Sequence, residues 1–124
     1  MLKDGKLLIG RGDVDASILP AMANRHGLIA GATGTGKTIT LKVMAESFSD
    51  LGVPVFLADV KGDLGGCVKA GTMNSAIEKR LGGMGIDPSD FALKSYPVCF
   101  WDVYGEGGHP VRTTVSEMGS SDRK

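Results

Sequence analysis

The sequence predicts an α/β fold: a parallel sheet flanked by helices, incomplete in 124 residues, with a short β element ahead of it. Three observations predict it. A short apolar run, Gly27-Leu28-Ile29-Ala30, leads into a glycine loop and then a stretch of helical period. A longer apolar run, Val53 to Val60, follows that helix. A third, Val98 to Tyr104, comes later. Near-continuous apolar strands separated by helices are what a sheet covered on both faces requires.

In order along the chain, Leu7-Leu8-Ile9 is a short strand, Gly10-Arg11-Gly12-Asp13 a turn, and Ala16 to Leu19 a segment able to pair back until Pro20 stops it. Arg11-Gly12-Asp13 spells an adhesion tripeptide, but without an export signal it reads as an ordinary polar turn. From Ile39 to Leu51, residues Leu41, Met44, Ala45, Phe48 and Leu51 form one apolar stripe at helical spacing, expected to face the sheet. Gly52 is placed to close that helix. With 53–60 it completes a βαβ unit. Thr72 or Asn74 is placed to cap a short helix bearing Ile77, Leu81 and Met84. Asp87-Pro88-Ser89-Asp90 is a turn, 98–104 a strand, 105–110 a loop and 111–115 a further short strand. The expected organisation is a β lead-in over 1–23, a partial nucleotide-binding domain over 24–119 and a polar tail over 120–124.

Bulk properties narrow the classes. Fourteen basic residues balance fourteen acidic ones, so no strongly basic nucleic-acid surface is evident, although a local field remains open to DNA. Cys67 and Cys99 match no metal spacing and read as small, buried or half-buried apolar residues of a reducing compartment. No apolar run approaches the about 18 residues of a membrane span. The first five residues lack the apolar core of a signal peptide, so the cytoplasm is the expected location.

The chemistry concentrates in Gly31-Ala32-Thr33-Gly34-Thr35-Gly36-Lys37-Thr38, which fits G-x-x-x-x-G-K-[ST] at every fixed position. Phosphate oxygens need many donors at short range, and glycines let the backbone wrap around them. The N–H groups of Gly36, Lys37, Thr38 and Ile39 lie at a helix start, where they lack intrahelical partners and the helix dipole favours an anion. Lys37 is placed to reach the β- and γ-phosphates and the Thr38 hydroxyl to ligate Mg²⁺. The alternative is a glycine turn without a ligand. His26 either touches the nucleotide base or caps the strand. Asp59 and Asp63 stand at the strand edge where ligands bind, or else cap a turn. Trp101 and Tyr104 either stack on a base or pack.

The run Ala23 to Ala30 followed by Gly31 to Thr38 resembles the HerA/FtsK group of DNA-pumping ATPases, and most closely the bacterial HerA-like branch typified by YjgR. Three further blocks agree: Gly52 to Asp63, Val98 to Gly105 and Gly108 to Gly119. The resemblance implies a P-loop NTPase (RecA-like) core, ATP with Mg²⁺, and a homo-oligomeric ring, commonly a hexamer, around duplex DNA. It carries the Walker A role onto Gly31, Gly34, Gly36, Lys37 and Thr38, and the Asp-x-Lys-Gly segment onto Asp59, Lys61 and Gly62. Relatives continue past the position of Gly119 with an apolar helix, whereas Ser120 to Lys124 is polar. The expectation is therefore an amino-terminal fragment of such an ATPase.

Hydrolysis needs a phosphate cradle, a held metal and a group that positions water. Val55 to Asp59 and Val98 to Asp102 both mimic a Walker B strand, but no Asp-Glu pair follows either run. Asp102 is a candidate metal-side acid and Glu106 a candidate for activating water. Three functions compete: a HerA-like helicase or translocase ATPase, a nucleotide-binding module without hydrolysis, and a small kinase. The kinase is disfavoured because residues 63–95 hold only Arg80 where an arginine-rich lid is needed.

Overall fold

In the computed structural model, which describes residues 1–111, the chain begins with a tight hairpin. Asp4 and Gly5 both take positive φ, 50° and 71°. An Asp-Gly pair suits the two-residue turn whose twist matches its strands. The turn joins β1 (Leu2–Lys3) to β2 (Lys6–Arg11), with Leu2 opposite Leu7 and Lys3 opposite Lys6. β3 (Asp15–Ile18) pairs antiparallel on the other side of β2, as the segment ahead of Pro20 was expected to do. The register shifts between Leu8 and Gly10, after which Gly10 meets Ala16 and Arg11 meets Asp15.

Leu7 and Leu8 are both buried. Successive strand side chains point to opposite faces, so both faces of β2 are covered. α1 (Lys37–Asp50) packs on this strand. The join is polar as well as apolar. Ser47 is 1 % exposed, donates to the Val43 carbonyl at 2.6 Å and accepts from the Met1 ammonium at 2.6 Å. Both hydroxyl functions are thus satisfied, as a buried polar group requires. Burial lowers the pKa of the Met1 ammonium, while nearby Glu46 and Asp50 oppose the shift.

Both helices end alike. Gly52, at φ 74°, donates to Ser49 O and Val53 N donates to Phe48 O, closing α1 with the paired bonds of a Schellman motif. α2 (Ser75–Gly83) starts at Asn74, whose Oδ1 accepts from Ile77 N at 3.0 Å. It ends with Gly85 N donating to Gly82 O and Ile86 N to Leu81 O. Arg11 then reaches across from β2. Its Nη1 donates to Met84 O at 2.6 Å and Gly85 O at 3.2 Å, while Nε and Nη2 hold both oxygens of Asp15. A guanidinium at a helix C-terminus complements its dipole. The turn expected over 10–13 starts later: Gly10 and Arg11 are paired strand residues of β2, held opposite Ala16 and Asp15, and the chain bends over 12–14.

The expected parallel sheet is not among the paired strands. Residues 27–30 and 53–60 belong to no helix and no paired strand, and Val60 stands at a bend. Leu28 is 89 % exposed, Phe56 86 % and Val60 98 %. Within 98–104 only β4 (Trp101–Asp102) pairs, in parallel with β5 (His109–Pro110). The physical reason is cover: parallel strands are stable when flanked by neighbours and roofed by helices on both faces. Here α1 is engaged with the antiparallel sheet instead, and its apolar stripe is only half-buried. The fold is therefore mixed α/β with two small sheets, one of them parallel. Among the described residues, the buried apolar side chains are Leu7, Leu8, Leu64 and Leu81. The expected strand at 111–115, the block 108–119 beyond Val111 and the tail 120–124 lie outside the described residues.

Candidate functional site

The glycine loop stands on the surface immediately before α1. Gly34 and Gly36 take φ of 81° and 94°, a region that side-chain-bearing residues rarely adopt. Gly36 is also the N-cap of α1, so no side chain caps this helix. Thr40 N donates to Gly36 O at 2.9 Å, the first bond of the helical ladder. The N–H groups of Gly36, Lys37, Thr38 and Ile39 have no acceptor among the described residues. Four donors therefore lie together at the positive end of a helix dipole, unpaired among the described residues. The Thr38 hydroxyl likewise makes no bond among the described residues.

Lys37 is turned inward. Its Nζ donates to Gly31 O at 2.8 Å and to Ala32 O at 2.7 Å, and Thr35 Oγ1 donates to Ala32 O at 2.8 Å. The cation is thus held by the carbonyls of its own loop, beside the free N–H groups. The donor set fits a phosphate chain with a cation: backbone N–H groups and an ammonium for the anion, a hydroxyl for the metal. Ala32 and Thr33 contribute loop backbone; both are exposed.

The two apolar runs end in loops of one design. Asp59 accepts from Gly62 N at 2.8 Å, Asp63 N at 3.3 Å and Leu64 N at 2.9 Å. Asp102 accepts from Tyr104 N at 3.0 Å, Glu106 N at 2.8 Å and Gly107 N at 2.9 Å. Gly62 and Gly105 match at φ 73° and 72°. Backbone N–H donors favour the ionised carboxylate. The Leu64 N–H, with those of Gly62, Asp63 and Lys61, lowers the pKa of Asp59, and the Gly107, Tyr104 and Glu106 N–H groups do the same for Asp102.

A family model described as Helicase HerA-like C-terminal matches residues 6–121. The chain belongs to the HerA-like helicase family. No curated protein and no solved structure matches it. The HerA match takes in β2 and β3 as well as the glycine loop, both Asp-capped loops and both helices.

Within this HerA-family chain, the structure gathers Gly31 to Ile39 into one surface feature but does not bring Asp59, Lys61 or Asp102 into hydrogen-bond contact with it. The nearest link is structural. The 3₁₀ turn Gly65–Val68 follows the Asp59 loop, and Gly66 lies beside the Lys42 ammonium of α1, 3.7 Å from the position of an added Cβ. His26 lies in an exposed, unpaired segment. Trp101 is 63 % exposed and tilts against His109 with ring centroids 5.7 Å apart; Tyr104 is equally exposed. Among the described residues no cluster of three or more His, Cys, Asp or Glu could hold a metal, and no helix is long and apolar enough to cross a membrane.

Contacts not read from the sequence carry much of the architecture. Arg11 joins β2 to the end of α2. Asp50, at the end of α1, binds Lys94 Nζ at 2.6 Å and accepts from Tyr96 OH at 3.4 Å. Burial first, then Asp50 and Glu46, pushes the Tyr96 phenol up to about 12. Only the Asp4-Gly5 pair carried a local signal, that of a hairpin turn; the others act through contacts remote in sequence.

Proposed function

We propose that this chain binds ATP with Mg²⁺ through Gly31 to Ile39 and serves as the nucleotide-binding part of a HerA-like DNA helicase or translocase ATPase. One observation carries the reading: α1 begins at a glycine with no side-chain cap, leaving the N–H groups of 36–39 without an acceptor among the described residues, beside an inward-turned lysine. An anion is the partner that such an end accepts. In this reading Lys37 leaves the Gly31 and Ala32 carbonyls for the β- and γ-phosphates, and Thr38 offers its hydroxyl to Mg²⁺, which neutralises charge on the phosphates.

Family membership supports the wider proposal: the YjgR-type branch, a RecA-like core, a homo-oligomeric ring around duplex DNA, and a cytoplasmic setting. The exposed apolar runs at 28–29, 53–60 and 98–104 support a core whose parallel sheet is completed by further strands, so that 24–119 is the amino-terminal part of that domain. A second reading, nucleotide binding without hydrolysis, is favoured for the isolated chain because Asp59 and Asp102 are each spent on three backbone N–H groups.

The test is the purified chain with ATP and Mg²⁺, with and without duplex DNA, beside Lys37→Ala. DNA-stimulated turnover lost in the variant supports the ATPase. Binding without turnover supports the second reading. Equal ATP binding by wild type and Lys37→Ala, or none by either, overturns the assignment of the loop.

A further inference from the structure

We infer that Thr35 is a positioning residue of the phosphate loop, and that position 31 is a glycine because the Thr35 hydroxyl occupies the space a side chain would need. Three donors meet at the Ala32 carbonyl oxygen: Thr35 N at 3.4 Å, Thr35 Oγ1 at 2.8 Å and Lys37 Nζ at 2.7 Å. This clasp folds residues 32–35 into a closed turn. A Cβ built on Gly31 would stand 2.6 Å from Thr35 Oγ1, 3.6 Å from Thr35 Cβ and 3.8 Å from Lys37 Cγ. Only the first contact is short enough to force a shift, and what must shift is the hydroxyl, which would leave the Ala32 oxygen.

The other loop glycines are explained differently. Gly34 and Gly36 have positive φ, yet an added Cβ at either meets nothing within 4 Å. Gly31 is not among the positive-φ residues. Backbone conformation therefore sets 34 and 36, and space sets 31.

The clasp bears on the ligand, and this part rests on the ATP-binding reading. A phosphate that draws Lys37 away takes one donor from the Ala32 oxygen. The Thr35 hydroxyl is then the side chain that keeps this carbonyl, a negative pole, in the turn and away from the anion. The substitution that matters is loss of the hydroxyl, not loss of bulk.

The test has two arms on the full chain. In the first, amide exchange of Thr35 is measured without ligand for Gly31→Ala, Thr35→Ala and the double variant. Each single change should speed exchange roughly fivefold, the worth of one neutral hydrogen bond, and the double should be no faster than Thr35→Ala alone. Rates that multiply overturn the clasp. In the second arm, ATP with Mg²⁺ is titrated into wild type, Thr35→Ser and Thr35→Val. Wild type and Thr35→Ser should bind alike, and Thr35→Val roughly fivefold more weakly. Equal binding by Thr35→Val overturns the positioning role. A wild-type chain that binds no ATP while the exchange rates fail to multiply overturns the cradle assignment and supports the clasp.

Discussion

Replacing Leu7 and Phe56 by alanine, one at a time, separates two accounts of where the core lies. Leu7 is 0 % exposed, opposite Leu2 and Ile18 in the middle strand of the antiparallel sheet, the strand on which α1 packs. Phe56 is 86 % exposed in the run that the sequence marks as a central strand. A buried Leu→Ala change costs about 2–5 kcal/mol through lost transfer energy and the cavity left behind. Leu7 is one of four buried apolar side chains among the described residues, so little nearby mass is available to collapse into the gap. A cost of about 3 kcal/mol follows. That is a large share of the about 5–15 kcal/mol of a native domain. Exposed Phe56 has almost no contacts to lose, so Phe56→Ala should lie within about 0.5 kcal/mol of wild type. Urea denaturation followed by far-ultraviolet circular dichroism measures both. A Phe56→Ala cost above about 3 kcal/mol, the range for a buried aromatic, with a small cost at Leu7, would refute this placement of the core and put it in the parallel sheet.

Arg11→Ala removes the guanidinium that bonds Met84 O and Gly85 O, so the amides of Gly85 and Ile86 should exchange faster while those in the middle of α1 do not. The Asp15 carboxyl, held to about 2 chiefly by its hydrogen bond with Arg11 and then by Lys3, contributes stability that is fully present above its unfolded value of 3.8 and is lost as pH falls toward 2. Asp15→Asn should be less stable than wild type by a constant margin above about pH 5, and the two should converge as pH falls through that window. Asn74→Ala removes the side-chain cap on Ile77 N and should cost about 1 kcal/mol by urea denaturation, with the loss confined to the first turn of α2 in amide exchange.

The parts legible in the sequence are those decided within a few residues. The loop motif marks the start of α1, Gly52 and Asn74 mark helix ends, and Pro20 bounds the strand before it. Each depends on local backbone preference or on a short-range hydrogen bond. The partner of α1 was not legible. An apolar stripe states that a helix will bury one face but does not name the surface that receives it. The antiparallel sheet engages the helix through β2 and the Met1–Ser47 bond, contacts far apart in sequence. The same limit applies to 53–60, whose pattern describes a strand but supplies no neighbour to pair with.

The two acidic loops show what a strand-end pattern leaves unstated about its acid. Asp59-Val60-Lys61-Gly62-Asp63 and Asp102-Val103-Tyr104-Gly105-Glu106 each follow an apolar run, and each first Asp invites comparison with a metal-binding strand end. Yet each accepts three backbone N–H bonds from the residues after it. A carboxylate so engaged has its lone pairs directed into its own turn, and its proton affinity is lowered rather than raised. Those features suit a loop organiser and oppose a general base, which works best with a pKa near the operating pH. The acids four positions on stand differently. Asp63 and Glu106 give their N–H groups to the organising carboxylate, while their own side chains make no hydrogen bond to a described residue. In each loop one acid sets the shape and another is presented at the surface.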